Sequence, residues 1–258
     1  MGIAVAQKRK RQMTFMLILL MILSAAAMHV TEFNLLDAVI AVPSAIIWMV
    51  TNFYPNAESL NNLPSIAAKL KETVFLAIVA TTTSSIFALL FALMSTRSNL
   101  KLTIICRLIA SFFRNVPDTV WAIVLLLSFG QNIVSGYIAL FFATFGFLTR
   151  SFAETIEEAS GSSIEALEAT GATYFQVVFQ AIMPSSITQI ISWVLFMVET
   201  NIRSATLVGM LTGTGIGNLF NLYYRSFDYN SASLVVVLII IVIIAIEYIS
   251  NYVRRVIL

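Results

Sequence analysis

Charge is scarce in this chain. Asp, Glu, Lys and Arg make up 11% of its 258 residues, against about 25% in a soluble domain. So few charges cannot coat a water-soluble globule, and the chain reads as an integral membrane protein. Cysteine occurs once, at Cys106, so no intrachain disulfide can form. Histidine also occurs once, at His29, where an apolar run ends; that is an interfacial position rather than a metal-ligand position. CxxC, HExxH and carboxylate clusters at metal spacing are missing, so no metal site is expected. No nucleophile–base pairing is visible, which makes an enzyme the least expected class. The net charge of +2 is too small to suggest a nucleic-acid partner.

What is present is apolar. Hydrophobic residues reach 59% and mean hydropathy is +0.91. A bilayer core of roughly 30 Å needs about 20 apolar residues in a helix. Inside it the backbone must bond to itself, so helices are the natural spans, and the alternation of a membrane barrel is absent. Lys8, Arg9, Lys10 and Arg11 precede an apolar run that ends in Ala25, Ala26 and Ala27. That pattern resembles a signal peptide, but with further spans downstream it reads as a retained first helix, about 13–30. Residues 35–54 contain Pro43, Trp48, Phe53 and Tyr54 and read as interfacial, because aromatic rings favour the headgroup level; a second full span is the less favoured reading.

The remaining spans fall at about 72–95, two within 104–149, one at 187–211 and one at 233–252. The chain is thus expected to be an all-α integral membrane protein with about six transmembrane helices, divided into an N-terminal part, 1–68, and a core, 69–258. Thr81, Thr82, Thr83, Ser84 and Ser85 sit mid-span. Their hydroxyls can bond back to helix carbonyls and either permit close helix packing or line a wet path. The stretch "RNVPDT" should break the third span at Asn115, Pro117 and Asp118, since Pro117 disfavours helix at Val116. Basic residues near span ends set orientation. With Lys8 to Arg11 inside, Arg97, Lys101, Arg150, Arg254 and Arg255 also fall inside. Both termini are then cytoplasmic, and the segment 150–186 is cytoplasmic too.

Two intramembrane features carry chemistry. Glu199 and Arg203 are four apart and share a helix face. They form either a self-neutralising pair or a site where Arg203 presents its guanidinium to an anion, with Asn201, Ser204 and Thr206 adding neutral hydrogen bonds. Gly209, Gly213, Gly215 and Gly217 follow that span. Their spacing is neither GxGxxG nor GxxxxGK[ST], so nucleotide binding is rejected. A flexible or tightly turned outer loop beside a gate is expected, with Gly209 grouped with the broken helix as a candidate gate residue.

The segment at about 153–186 is polar yet periodic. Ile164, Leu167, Ala169, Tyr174, Phe175, Val178 and Phe179 recur at helical spacing, and Gly171 punctuates them. The expectation is two short helices bent at Gly171, apolar faces against the membrane domain, the second ended by Pro184. Such a hairpin is a lever that a partner could grip.

This stretch resembles the cytoplasmic coupling loop of binding-protein-dependent ABC importer permeases. The family pattern is E-A-A, three residues, G, nine residues, I, one residue, L-P. It is matched at Glu165, Ala166, Gly171 and Pro184, and departs at Leu167, Ala181 and Met183. "KETVFLAI" and "FFRNVPDTVWAI" resemble the start of the permease core and its broken helix. "VETNIRSATLVGMLTGTGIGNLF", with "IEALEATGAT", is similar to permeases of phosphonate importers, including phosphite and phosphate-ester systems. The resemblance covers about 70–255. It implies a type I importer permease fold with a coupling helix in the cytoplasmic (inner) membrane, forming half of a homodimeric pore. An ATP-binding cassette ATPase dimer would dock at Glu165, Ala166, Glu168, Gly171 and Pro184, and an extracytoplasmic phosphonate-binding protein would deliver solute. ATP and Mg would be bound by the ATPase, with no cofactor in this chain. Two rivals stand beside it: a permease of the same architecture for methionine or a quaternary amine, and a secondary transporter or channel acting alone.

Overall fold

The computed structural model describes residues 2–96 and 100–257. Arg97, one of the residues that set the expected orientation, lies outside them. The chain divides into two compact units, Met1–Phe53 and Tyr54–Leu258. The first consists of α1 (Gly2–Val30) and α2 (Leu35–Asn52). Asn34 caps α2 by accepting the Leu36 amide at 3.0 Å. Pro43 lies inside α2 without ending it, and the helix is long and apolar enough to cross a bilayer.

The second unit holds α3 (Leu63–Ser95), α4 (Leu100–Asn115), α5 (Asp118–Phe129), α6 (Ile133–Ala169), α7 (Tyr174–Val177), α8 (Met183–Thr212), α9 (Gly215–Arg225) and α10 (Tyr229–Ile257). A 3₁₀ turn, Ser59–Asn62, leads into α3, and one π turn, Val178–Ile182, joins α7 to α8. Helix α6 is the hub, packed on α3, α4, α5 and α8. Among the described residues six helices are long and apolar enough to span a membrane, and α4 with α5 forms a further bent pair.

Small residues bring α3 close to its neighbours. Ala77, Ala80, Thr81, Ser84, Ala88 and Ala92 are all fully buried and recur at helical spacing, the pattern by which membrane helices gain van der Waals contact. One α3 hydroxyl joins this packing directly. Ser84 donates to the Phe141 carbonyl on α6 at 3.1 Å, while Thr82 and Thr83 donate to their own helix at 2.8 Å.

Three apolar clusters then stack along the bundle. One joins α3, α6 and α8 around Phe152, Ile156, Val178 and Ile182. A middle one includes Ala122, Leu140, Ile202 and Val208. The third ties α3, α9 and α10 through Ile66, Ile216 and Val235.

The break in the third span is sharp: α4 and α5 meet at 87°. Pro117 sits extended, at φ −57° and ψ 146°, and its carbonyl accepts the Val120 and Trp121 amides to start α5. Trp121 packs on Phe142 with 4.9 Å between ring centroids, which wedges the elbow.

Two expectations about 150–186 need correction. The segment is not a loop of two separate short helices, because α6 runs unbroken from the apolar core to Ala169. Its 37 residues span about 55 Å at ~1.5 Å per residue, nearly twice the roughly 30 Å hydrocarbon thickness. The returning helix is likewise continuous over Tyr174–Thr212. Nor does Pro184 end a helix, for it lies in the first turn of α8. The preceding π turn widens the ladder where the proline ring and missing N–H would otherwise break it. Ser185 then donates to the Ala181 carbonyl at 2.7 Å and Ser186 to that of Ile182.

Candidate functional site

The hairpin tip is built by two local signals in "EATGATYFQ". Helix α6 stops in a Schellman arrangement. Gly171, at φ +81°, donates to the Glu168 carbonyl at 2.9 Å, and Ala172 donates to that of Leu167 at 3.2 Å. A left-handed residue after the last turn is normally glycine, since a Cβ there strains the backbone. Two residues on, α7 begins: the Gln176 side-chain oxygen accepts the Thr173 amide at 2.7 Å, half of a capping box. Space is open around Gly171, so a side chain there meets only backbone strain. Gly171→Ala should therefore loosen the hairpin by about 1 kcal/mol, read as roughly fivefold faster hydrogen exchange at the tip. Gly171→Asn should do less, because asparagine tolerates this conformation.

The tip is anchored on one face and bare on the other. Tyr174 donates through its phenol to the Leu93 carbonyl near the end of α3 at 2.8 Å, and Trp193 donates to Thr155 at 3.2 Å. Ile164, Leu167 and Tyr174 pack against the buried Val177, Val178 and Ile182. The expectation that Phe175 and Phe179 face the same way is corrected: each is 70% exposed. They lie four apart, on the face opposite the packed one. Glu165, Ala166 and Glu168 are exposed as well, and so is Pro184. The result is an exposed apolar pair and two exposed carboxylates on one hairpin, whose first helix extends past the length a bilayer needs.

Helix α8 carries the other candidates. Arg203 meets Glu199 at 2.7 Å, with the carboxylate 12% exposed and the guanidinium 50% exposed. Asn201 is on a different face and is buried. Its amide donates to Thr81 and Thr144 at 2.8 Å each, joining α8 to α3 and α6. Such a network holds helices together in place of water; its donors are occupied by the protein, so Asn201 has none left to offer a solute. Ser204 and Thr206 are half-buried, and Thr206 donates to the Ile202 carbonyl at 3.2 Å.

At the elbow, Asn115 donates to Ser111 at 3.3 Å, and Asp118 accepts the Thr119 amide at 2.8 Å. Gly209 is not in a loop but inside α8, buried against the Thr214 carbonyl. The glycine stretch is tightly turned: Gly213 and Gly215 have φ of +70° and +58°. It leads into α9, a helix that the glycine spacing gave no cause to expect.

Sequence reasoning also missed what fastens α9. Thr214, at its start, makes no side-chain cap. Instead α3 supplies the acceptors: Glu72 takes the Gly215 amide at 3.2 Å and Thr73 the Ile216 amide at 2.8 Å. A carboxylate at a helix start also matches the helix dipole. The available signal was the Glu-Thr pair in "KETV". A second missed feature is a cavity of about 580 Å³ between α3, α4 and α6, lined by Arg107, Arg114 and Arg150.

The chain is an apolar multi-helix bundle with a broken span and a long hairpin, and its family gives the class. The chain belongs to the family described as "Binding-protein-dependent transport system inner membrane component", whose match runs over residues 84–257. It is 27% identical over 254 residues to the putative phosphite transport system permease protein HtxC of Stutzerimonas stutzeri, covering 97% of this chain and 89% of that one. It is 28% identical over 141 residues to the phosphate-import permease protein PhnE of Mycolicibacterium smegmatis. That match takes in 55% of this chain but spans only 26% of the relative's length. The fold is similar to a solved amino acid ABC transporter, with a TM-score of 0.66 at 16% identity over 76% of this chain and 95% of that one. The protein is thus an all-helical, multi-pass membrane protein with a type I importer permease fold.

Proposed function

We propose that this chain is the membrane subunit of an ATP-driven importer for phosphonates, phosphite or phosphate esters. A separate ATPase dimer grips the hairpin from the cytoplasm, a second copy of the chain completes the pore, and an extracytoplasmic binding protein delivers the solute. ATP and Mg are bound by the ATPase and not by this chain. Both termini face the cytoplasm in this reading, which the basic residues Lys8 to Arg11, Arg254 and Arg255 near span ends support.

The observation that carries this reading is the hairpin. Phe175 and Phe179 are bare while Tyr174 holds the same turn to α3. A pair of exposed rings on a rigid, anchored turn fits a partner surface, and force applied there passes into α3, α6 and α8. The solute class is supported by the relatives' names and by Arg203, whose planar guanidinium suits oxyanion geometry. Its pairing with Glu199 keeps binding weak, as release requires.

The test is reconstitution in liposomes with the ATPase and the binding protein of the same transport system. Uptake of labelled phosphite, phosphate or methylphosphonate should need all three components and ATP. Replacing both Phe175 and Phe179 with serine should abolish co-purification of the ATPase while leaving the melting temperature within a few degrees of wild type. Uptake by this chain alone would overturn the proposal.

A further inference from the structure

Three guanidinium groups line the cavity between α3, α4 and α6, and they are not equivalent. Arg107 pairs with Glu157, and Arg150 with Glu154 at 2.6 Å. Arg114 has no ion pair or hydrogen-bond acceptor among the described residues, and Glu154 and Glu157 are the only carboxylates on the lining. Three cations against two carboxylates leave one positive charge.

The place of that charge matters. Gly146 of α6 packs against the backbone of α4 at this point. A Cβ there would lie 2.9 Å from the Ala110 carbonyl oxygen and closer still to the Arg114 nitrogen. Gly146 is one turn before Arg150, which the basic residues at span ends put on the cytoplasmic side, so the cavity lies at the cytoplasmic end of the spans and Arg114 is exposed there. A cation in a cleft with no carboxylate of its own attracts an anion. Ser111 and Asn115 border the same space and provide neutral hydrogen-bonding groups. By contrast, Arg203 already has its carboxylate in place.

We propose that this cavity is a transient oxyanion site on the transport path, with Arg114 as the group that contacts the phosphorus oxygens. The inference rests on the proposed solute class and adds to it a location within the fold. The fixed neighbours Glu154 and Glu157 keep the site from holding a dianion tightly, so the anion can leave.

The experiment uses the reconstituted complex with phosphite, inorganic phosphate and methylphosphonate as probes. Arg114→Gln should lower uptake at least tenfold while binding-protein-stimulated ATP hydrolysis stays within twofold of wild type. Arg114→Lys, which keeps the charge but loses the guanidinium fork, should recover part of the uptake. Wild-type uptake in Arg114→Gln would overturn the inference and leave the proposed function standing. Equal loss of uptake and hydrolysis in both variants would overturn it too, by assigning Arg114 to structure. A wild-type complex that carries none of the three probes would bring down the solute class and this site together. A second measurement leaves Arg114 in place. In Ser111→Cys, with the native Cys106 buried, millimolar phosphite should slow labelling by a charged thiol reagent several-fold; an unchanged rate would count against the site.

Discussion

Gly217→Ala should collapse the packing of α9 on α8. An added Cβ would lie 2.7 Å from the Met210 nitrogen and closer still to the Thr206 carbonyl oxygen. Both obstacles are backbone, so no side chain can swing aside and the helices must part. Overpacking in a core costs about 1–3 kcal/mol and sometimes more, and a clash with backbone belongs at the upper end. At roughly 2–4 °C per kcal/mol for a chain of this size, the melting temperature in detergent should fall by about 10 °C. The damage should spread to α3, because Glu72 and Thr73 hold the first amides of α9. Gly161→Ala is the control. Nothing lies within 4 Å of that position, so alanine should be neutral or should stabilise α6 by up to ~1 kcal/mol. Equal melting temperatures for the two variants would refute the close α8–α9 crossing.

The second large effect is expected at the Glu199–Arg203 pair, and it should be asymmetric. Arg203→Ala leaves a carboxylate that is 12% exposed without its cation. Breaking a buried pair from one side costs about 3–5 kcal/mol; with Arg203 half exposed to its surroundings, the loss should lie below that range. Glu199→Gln leaves the more exposed partner and should cost less. The double variant Glu199→Gln/Arg203→Ala should regain most of the stability, since no charge is stranded. Uptake separates the two roles: if the pair is only structural, the double variant transports normally, and if Arg203 meets the solute, uptake stays low after stability returns. Thermal melting and liposome uptake on the same four proteins complete the cycle.

The hairpin shows how far residue patterns reach. Its stop was legible at Gly171, because a glycine stop is local chemistry; the capping pair Thr173 and Gln176 is equally local and went unread. What local chemistry could not convey is that α6 continues unbroken into the hairpin, or that Pro184 is absorbed behind a π turn. Both depend on how the flanking spans pack. The same periodic set that marked the hairpin as amphipathic placed Phe175 and Phe179 inward. Burial was decided by where the neighbours stand, and Val177, Val178 and Ile182 took the inner face.

Composition, span length and the spacing of Glu165, Gly171 and Pro184 were sufficient for the membrane class, the number of spans and the family. Those properties follow from solvent: hydrocarbon demands apolar helices of a given length, and the chain must write them into consecutive residues. The cap of α9 by Glu72 and Thr73 and the Asn201 network join residues far apart in the chain. Their partners are chosen by helix contact in three dimensions, which no local pattern of side chains encodes.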